Sequence, residues 1–354
     1  MNQQLFLEMI DAAINGKTID LSEVDEEFIR VAKEQTFLPF LYVASKDKKY
    51  KKYYIQSVLI HERINEVGKL IDNILNEAKI PHIFLKGYEL QNLYPDPNLR
   101  MMGDIDVLVN QNDFKQVCFI LKENKFSENG STGHDKTFSI KNIKVEIHFL
   151  LMSKNEFGDK FFTKKIQEFN NEYYFVYIVA HYAKHFSKGA GIREIIDIYL
   201  LLKNYNYDFN IINNYLNQLN LEKFYCLLED EMNFIFNNKI KIKNMKNCEY
   251  ALQCSLKFGI HGFGAQSNFY SNLLSSNKKY TKTRILFKRL FIERKELISI
   301  YPWAKFFPLI PFAYLFRFFF LLFNKKKNLK DLYKSKKEDK FVQLLDDLDI
   351  LKNI

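Results

Sequence analysis

The chain has 354 residues, of which 47% are hydrophobic and 27% charged, a composition that excludes a disordered polymer and leaves room for a substantial core. Twelve Gly and seven Pro are too few turn-formers for a many-stranded sandwich, so helices should dominate. The net charge of +10 is uneven: residues 276–354 carry 19 Lys and Arg against 8 Asp and Glu, which excludes a uniformly basic nucleic-acid-binding face.

Met1-Asn-Gln-Gln-Leu-Phe-Leu-Glu8 has no basic start and no long apolar run, so it does not read as a secretory signal. Leu5, Leu7, Met9, Ile10, Ala13 and Ile14 form a helical stripe that Gly16 should stop. Phe28, Val31 and Ala32, then Leu38 to Ala44, give a second apolar stretch. Lys51 to Glu77 places Ile55, Val58, Leu59, Ile64, Val67, Ile71 and Ile74 at helical spacing.

The pattern changes at Pro81. Pro81-His-Ile-Phe-Leu-Lys86 reads as a strand ending at Gly87, followed by a helical turn over Tyr88 to Leu93 and a loop over Tyr94-Pro-Asp-Pro-Asn98. Asp104-Ile-Asp-Val-Leu-Val109 alternates with period two. Asn112 or Asp113 should cap a helix through Phe114, Val117, Ile120 and Leu121. Thr137-Phe-Ser-Ile140 and Ile143-Lys-Val-Glu-Ile-His-Phe149 flank Lys141-Asn142, a two-residue hairpin signal. Helical patterns resume from Glu156, at Tyr173 to Phe186, Ile192 to Leu202 and Leu219 to Phe236. A break follows at Gly259 to Gly264, then a helix over Thr281 to Ile300. The implied fold is α+β: an N-terminal helical segment (1–80), a small mixed-sheet core (81–150), a C-terminal helical region (151–305), and a Phe-rich helix with a basic tail (306–354).

That last segment has two readings. Phe306 to Phe323 could span roughly 27 Å as a helix, but Arg317, Pro308 and Pro311 count against a membrane crossing. With Lys325-Lys326-Lys327 behind it, the run suits either an interfacial segment at an anionic membrane or a buried helix with a solvated tail.

Three carboxylates carry the chemistry. Asp104 and Asp106 lie two apart on one strand and therefore on one side of its sheet. Between apolar neighbours they repel each other and lose hydration, a cost that a bound cation offsets. Oxygen-rich sites suit Mg²⁺ or Mn²⁺. Glu146, on another short strand, can complete the set, with His148 on its face. Lys86-Gly87, at the junction of a strand and a helix, offers free backbone N–H groups to an anion.

Phe84-Leu-Lys-Gly87, Leu93-Tyr-Pro-Asp-Pro97, Arg100-Met-Met-Gly-Asp-Ile-Asp106 and Val145-Glu-Ile-His148 together resemble the uncharacterised bacterial nucleotidyltransferases of the DNA polymerase β-type superfamily. The likeness extends to His181-x-x-x-His185 and Gly191-Ile-Arg-Glu-Ile-Ile-Asp197. It implies a polymerase-β-like core and transfer of a nucleoside monophosphate from an NTP, ATP among the candidates, to an acceptor. It implies Asp104, Asp106 and Glu146 as catalytic metal ligands for Mg²⁺ or Mn²⁺. Lys86, Gly87, Tyr88, Arg100 and Gly103 become the nucleotide-binding set, with Tyr88 standing where the wider superfamily has Ser.

His148, His181, His185, Arg193 and Asp197 are candidates for acceptor or supporting contacts. His181 and His185 have zinc-compatible spacing but no following Glu and no evident third ligand. Arg193 and Asp197 are an i,i+4 pair that either pairs on the helix or orients the two histidines. His134 either reaches the cleft or lies in solvent; His261 has no assignment. Cys118, Cys226, Cys248 and Cys254 form no C-x-x-C pair, which fits a reducing cytoplasm and argues against a zinc ribbon. The acceptor is open: a metabolite, a sugar, a protein side chain or an RNA end. The alternative is a non-catalytic protein held at an anionic membrane surface, such as the inner face of the membrane, by its basic, Phe-rich C-terminus.

Overall fold

The computed structural model describes residues 1–131, 134–152, 158–187, 189, 191–237, 241–259, 291, 294, 297–298, 301–324 and 338–350. His261, Gly264, Lys325 to Lys327 and most of the helix expected over 281–300 lie outside the described residues. The chain divides into two compact units, Met1–Gly264 with Leu348–Ile354, and Ala265–Asp347.

The larger unit is α+β. Helices α1 (Gln3–Asn15), α2 (Glu26–Glu34), α3 (Leu38–Ser45) and α4 (Lys51–Glu77) precede the sheet. Gly16 stops α1 in the left-handed conformation, φ 71°, its N–H returning to the carbonyl of Ala12. Along α4 the buried face differs from the periodic stripe: Ile64, Val67, Ile71 and Ile74 are buried, but Ile55 and Leu59 are exposed. The first turns of α4 instead turn inward through Ser57 and through Tyr54, whose hydroxyl donates to Asp96 at 2.7 Å.

Five strands form a sheet of order β1-β2-β5-β4-β3. They are β1 (His82–Leu85), β2 (Asp104–Val109), β3 (Ser127–Ser131), β4 (Asp135–Ile140) and β5 (Ile143–His148). The β2–β5 pair is parallel and the other three are antiparallel. Lys141 and Asn142 both have positive φ, 51° and 62°, which gives the β4–β5 hairpin the two left-handed turn residues it needs. The connecting helix α6 (Phe114–Glu123) starts at Asp113, but no side-chain hydrogen bond caps it.

Alternation gives the sheet two unlike faces. Ile105, Val107, Val109, Phe138, Val145 and Ile147 pack with α4 and α6 in one apolar cluster that includes Ile71, Leu75, Val117 and Leu121. The other face presents Asp104, Asp106, Glu146 and His148. Helices α7 (Asn171–Phe186), α8 (Arg193–Asn204), α9 (Phe209–Gln218), α10 (Glu222–Met232) and α11 (Met245–Phe258) complete the unit. The single helix expected over Leu219 to Phe236 instead begins at Glu222, after Asn220 takes φ 52°, and passes into a π-turn over Asn233–Asn237. The four cysteines are free thiols, Cys226 exposed and the other three buried.

In the smaller unit, a helix runs over Ile310–Asn324 and another over Glu338–Asp347. Ala313 packs with Leu297 and Ala304. Phe306, Phe312, Leu315, Phe316 and Phe318 are exposed, at odds with a wholly buried Phe-rich helix. Among the described residues, no helix is long and apolar enough to cross a membrane.

Candidate active site

The polar face of the sheet and the helices α5 (Lys86–Leu90), α7 and α8 enclose a cleft of about 280 Å³. Lys86, Gly87, Arg100, Gly103, Asp104, Asp106, Glu146, His181, His185, Arg193 and Asp197 all line it. Asp106 and Glu146 stand at the same register on the parallel strands β2 and β5, so strand pairing itself fixes their approach. Their side chains and His148 form a group whose ligand-type atoms lie within 4.8 Å of one another. Asp104, one repeat earlier on β2, is more exposed; Lys144 Nζ is 3.9 Å from its carboxylate.

Asp106 is the electrostatic centre. Its Oδ1 accepts from Lys86 Nζ at 3.1 Å and pairs with His148 Nε2 at 2.7 Å. Burial alone would raise its carboxyl pKa, but Lys86 and His148 hold it well below the usual carboxylate range. Glu146 is also lowered, through its hydrogen bond to His148, with Lys144 as a further partner. Asp104 moves the opposite way, raised by partial burial and by the neighbouring Asp106 and Glu146. His148 is raised: burial disfavours its charge, but Asp106 and Glu146 outweigh that.

Lys86 has φ 50°, so Lys86, and not Gly87, takes the left-handed conformation at the start of α5. This turn ends β1 and returns the ammonium to Asp106, while the Lys86 N–H donates to the Tyr174 hydroxyl at 3.1 Å. Gly87 serves close packing: a Cβ there would lie 3.3 Å from Met102 Cβ and 3.5 Å from Arg100 Nη1. At Gly103 a Cβ would meet nothing within 4 Å.

Two residues of the sequence-derived nucleotide set are placed differently from that expectation. Tyr88 does not line the cleft; its ring lies 4.4 Å from that of Phe84 and against Gly68 of α4, where a Cβ would come within 2.2 Å of the phenol. Arg100 reaches the cleft wall but is committed to a buried pair, with Nε and Nη2 each 2.8 Å from the two oxygens of Asp197. Tyr94 donates to the same carboxylate at 2.8 Å. Asp197 therefore pairs with Arg100, 97 residues away, and not with Arg193 on its own helix. Arg193 donates to the Met101 carbonyl at 3.1 Å, and among the described residues its Nε has no hydrogen-bond partner.

His181 and His185 stack with ring centroids 4.1 Å apart on the cleft side of α7. Burial, and then the neighbouring His185, push His181 well below the ordinary histidine range. Glu194, 3.9 Å from His185 Nδ1, is held at about 2 because His185 and Arg193 overcome its burial. Tyr174, Tyr177, Lys144 and Glu194 were not legible as site residues. Tyr174 and Tyr177 precede His181 and His185 on the same stripe of α7, a spacing that could have indicated them.

The α+β fold, with its five-stranded mixed sheet, fits a polymerase-β-like nucleotidyltransferase core. Residues 25–229, more than half of the chain, match the family described as "Uncharacterised nucleotidyltransferase", and the chain belongs to that family. Comparison with curated proteins and with solved structures finds no match.

Proposed function

We propose that this nucleotidyltransferase moves a nucleoside monophosphate from an NTP to the hydroxyl of an acceptor, with Asp104, Asp106 and Glu146 as its catalytic carboxylates. The supporting observation is the shared register of Asp106 and Glu146, opposite Lys86, on the polar wall of one cleft. The donor set fits a hard divalent cation: carboxylate oxygens predominate, and Asp106 is held ionised far below neutral pH. When bound by Asp104, Asp106 and Glu146, Mg²⁺ or Mn²⁺ supplies neutralisation of the triphosphate and of the charge that develops on the attacking and leaving oxygens.

The protein's own groups do the rest. Lys86 exchanges its contact with Asp106 for a phosphate oxygen, and Arg193, which lines the same cleft, adds a second positive charge. The acceptor oxygen bonds to the α-phosphorus, the bond from that phosphorus to the α–β bridging oxygen breaks, and pyrophosphate leaves. The acceptor proton passes to the Glu146 carboxylate, which His148 holds in place from 3.6 Å. Isothermal titration with each NTP and Mg²⁺ tests this. We expect metal-dependent binding in the parent and a loss of at least about tenfold in Asp104→Ala/Asp106→Ala. Undiminished metal-dependent binding in the double variant contradicts the assignment.

A second property concerns the smaller unit. We propose that its exposed Phe306, Phe312, Leu315, Phe316 and Phe318, in the basic end of the chain, attach the protein peripherally to anionic membranes. Co-sedimentation with phosphatidylserine vesicles should be lost on deleting residues 306–327, and binding that persists without them would overturn it.

A further inference from the structure

Beside the catalytic carboxylates the sheet carries a second ligand set. Asp135 on β4 is paired across the strands with His148 on β5, and His134 immediately precedes β4. The Phe149 N–H donates to the His134 carbonyl at 3.0 Å, which ties the two strand ends together. His134 Nε2 is 3.3 Å from Asp135 Oδ2, and the His134 and His148 rings are 5.4 Å apart. Ligand-type atoms of His134, Asp135 and His148 all lie within 4.8 Å of one another.

His148 is the informative member. It is 3% exposed, and its Nε2 is engaged with Asp106 at 2.7 Å. Its Nδ1 is buried without a hydrogen-bond partner among the described residues. A buried imidazole with one nitrogen on a carboxylate and the other unsatisfied has the arrangement of a metal-ligating histidine, whose second nitrogen typically donates to a carboxylate. Two imidazoles and one carboxylate form a nitrogen-rich set that suits a borderline cation such as Zn²⁺ over Mg²⁺. His134 is 16% exposed, so the set is open to solvent on one side for entry and for a fourth, water ligand.

We propose that His134, Asp135 and His148 bind a transition-metal cation of the Zn²⁺ class, with His148 Nδ1 as ligand. Bound there, the cation fixes the proton of His148 on Nε2 and so orients the ring toward Asp106. This site is distinct from the hard-cation site, and His148 is the residue that touches both. It does not depend on nucleotidyl transfer for its existence.

Co²⁺ provides a spectroscopic substitute, because its visible absorption reports coordination by nitrogen ligands directly. Titration of the full chain should give a saturable Co²⁺ spectrum that Zn²⁺ abolishes by competition and that excess Mg²⁺ leaves in place. His134→Gln and the isosteric Asp135→Asn should each weaken binding by on the order of 10–100-fold or more. Asp104→Asn/Glu146→Gln should retain the spectrum, as should His181→Ala/His185→Ala. Circular dichroism of each variant reports folding, and either the His134 or the Asp135 variant suffices if the other misfolds. Full Co²⁺ binding in both folded variants, or loss confined to the Asp104/Glu146 or His181/His185 variants, overturns the proposal. Loss of transfer activity in Asp104→Asn/Glu146→Gln with Co²⁺ binding intact would separate the two sites.

Discussion

Asp106→Asn is expected to lower nucleotidyl transfer by about 10³-fold or more while the chain stays folded. Asn keeps the volume but removes the charge that the site is built around. Asp106 is paired with both Lys86 and His148 and lies in register with Glu146. The expected loss in stability is about 1–2 kcal/mol, from weakened hydrogen bonds to charged groups. It should also be pH-dependent. Because the folded carboxyl is depressed, its contribution is present above the unfolded value of about 3.9 and is lost as pH falls through the lower folded value. Parent and variant should therefore differ at neutral pH and converge in strong acid. Transfer assays paired with denaturant titrations at several pH values check both parts; an active Asp106→Asn protein would refute the assignment.

Asp197→Ala should produce the largest loss of stability among substitutions at the cleft, about 3–5 kcal/mol. Asp197 and Arg100 are both almost fully buried, and the pair is bidentate with Tyr94 as a third partner. Removing the carboxylate leaves a guanidinium without its counter-charge in a place where water cannot compensate. The pair joins the approach to β2 to helix α8, so its loss should also loosen the wall that carries Gly103 and Arg193. Asp197→Leu combined with Arg100→Met should be markedly more stable than Asp197→Ala, because no charge is then stranded. Thermal melts of the three proteins measure this. An Asp197→Ala midpoint equal to that of the parent would show the pair to be structurally idle.

The elements that local pattern determines were legible in the sequence. Asp104–Val109 alternates because one face meets α4 and α6 and the other carries carboxylates, and its bounds agree with the strand in the structure. Lys141-Asn142 punctuates two apolar runs and forms the hairpin turn. The trio Asp104, Asp106 and Glu146 could be proposed as one site because strand parity and motif order both pointed there.

Features set by tertiary packing were not legible. Strand β3, Ser127-Glu-Asn-Gly-Ser131, has no apolar residue and is exposed throughout; it is a strand only because β4 offers it hydrogen bonds. Helix α9 carries Ile211, Ile212, Tyr215 and Leu216 at helical spacing, with Ile212 and Leu216 buried, but four interspersed Asn mask the pattern. Arg193 and Asp197 satisfied an i,i+4 rule, yet the buried partner of Asp197 came from 97 residues upstream, a pairing that no local spacing encodes. Tyr88, next to the Lys-Gly turn, went to the core because Gly68 leaves room for its ring.

The Asp104, Asp106 and Glu146 cleft is proposed to transfer a nucleoside monophosphate. Incubation of the protein and divalent cation with cell extract and NTP labelled at either the α- or the γ-phosphate tests it most directly. The predicted result is acceptor labelled from the α-position, pyrophosphate carrying the γ-label, and neither product with Asp106→Asn. Acceptor labelled from the γ-position, or α-labelling undiminished in Asp106→Asn, would contradict it.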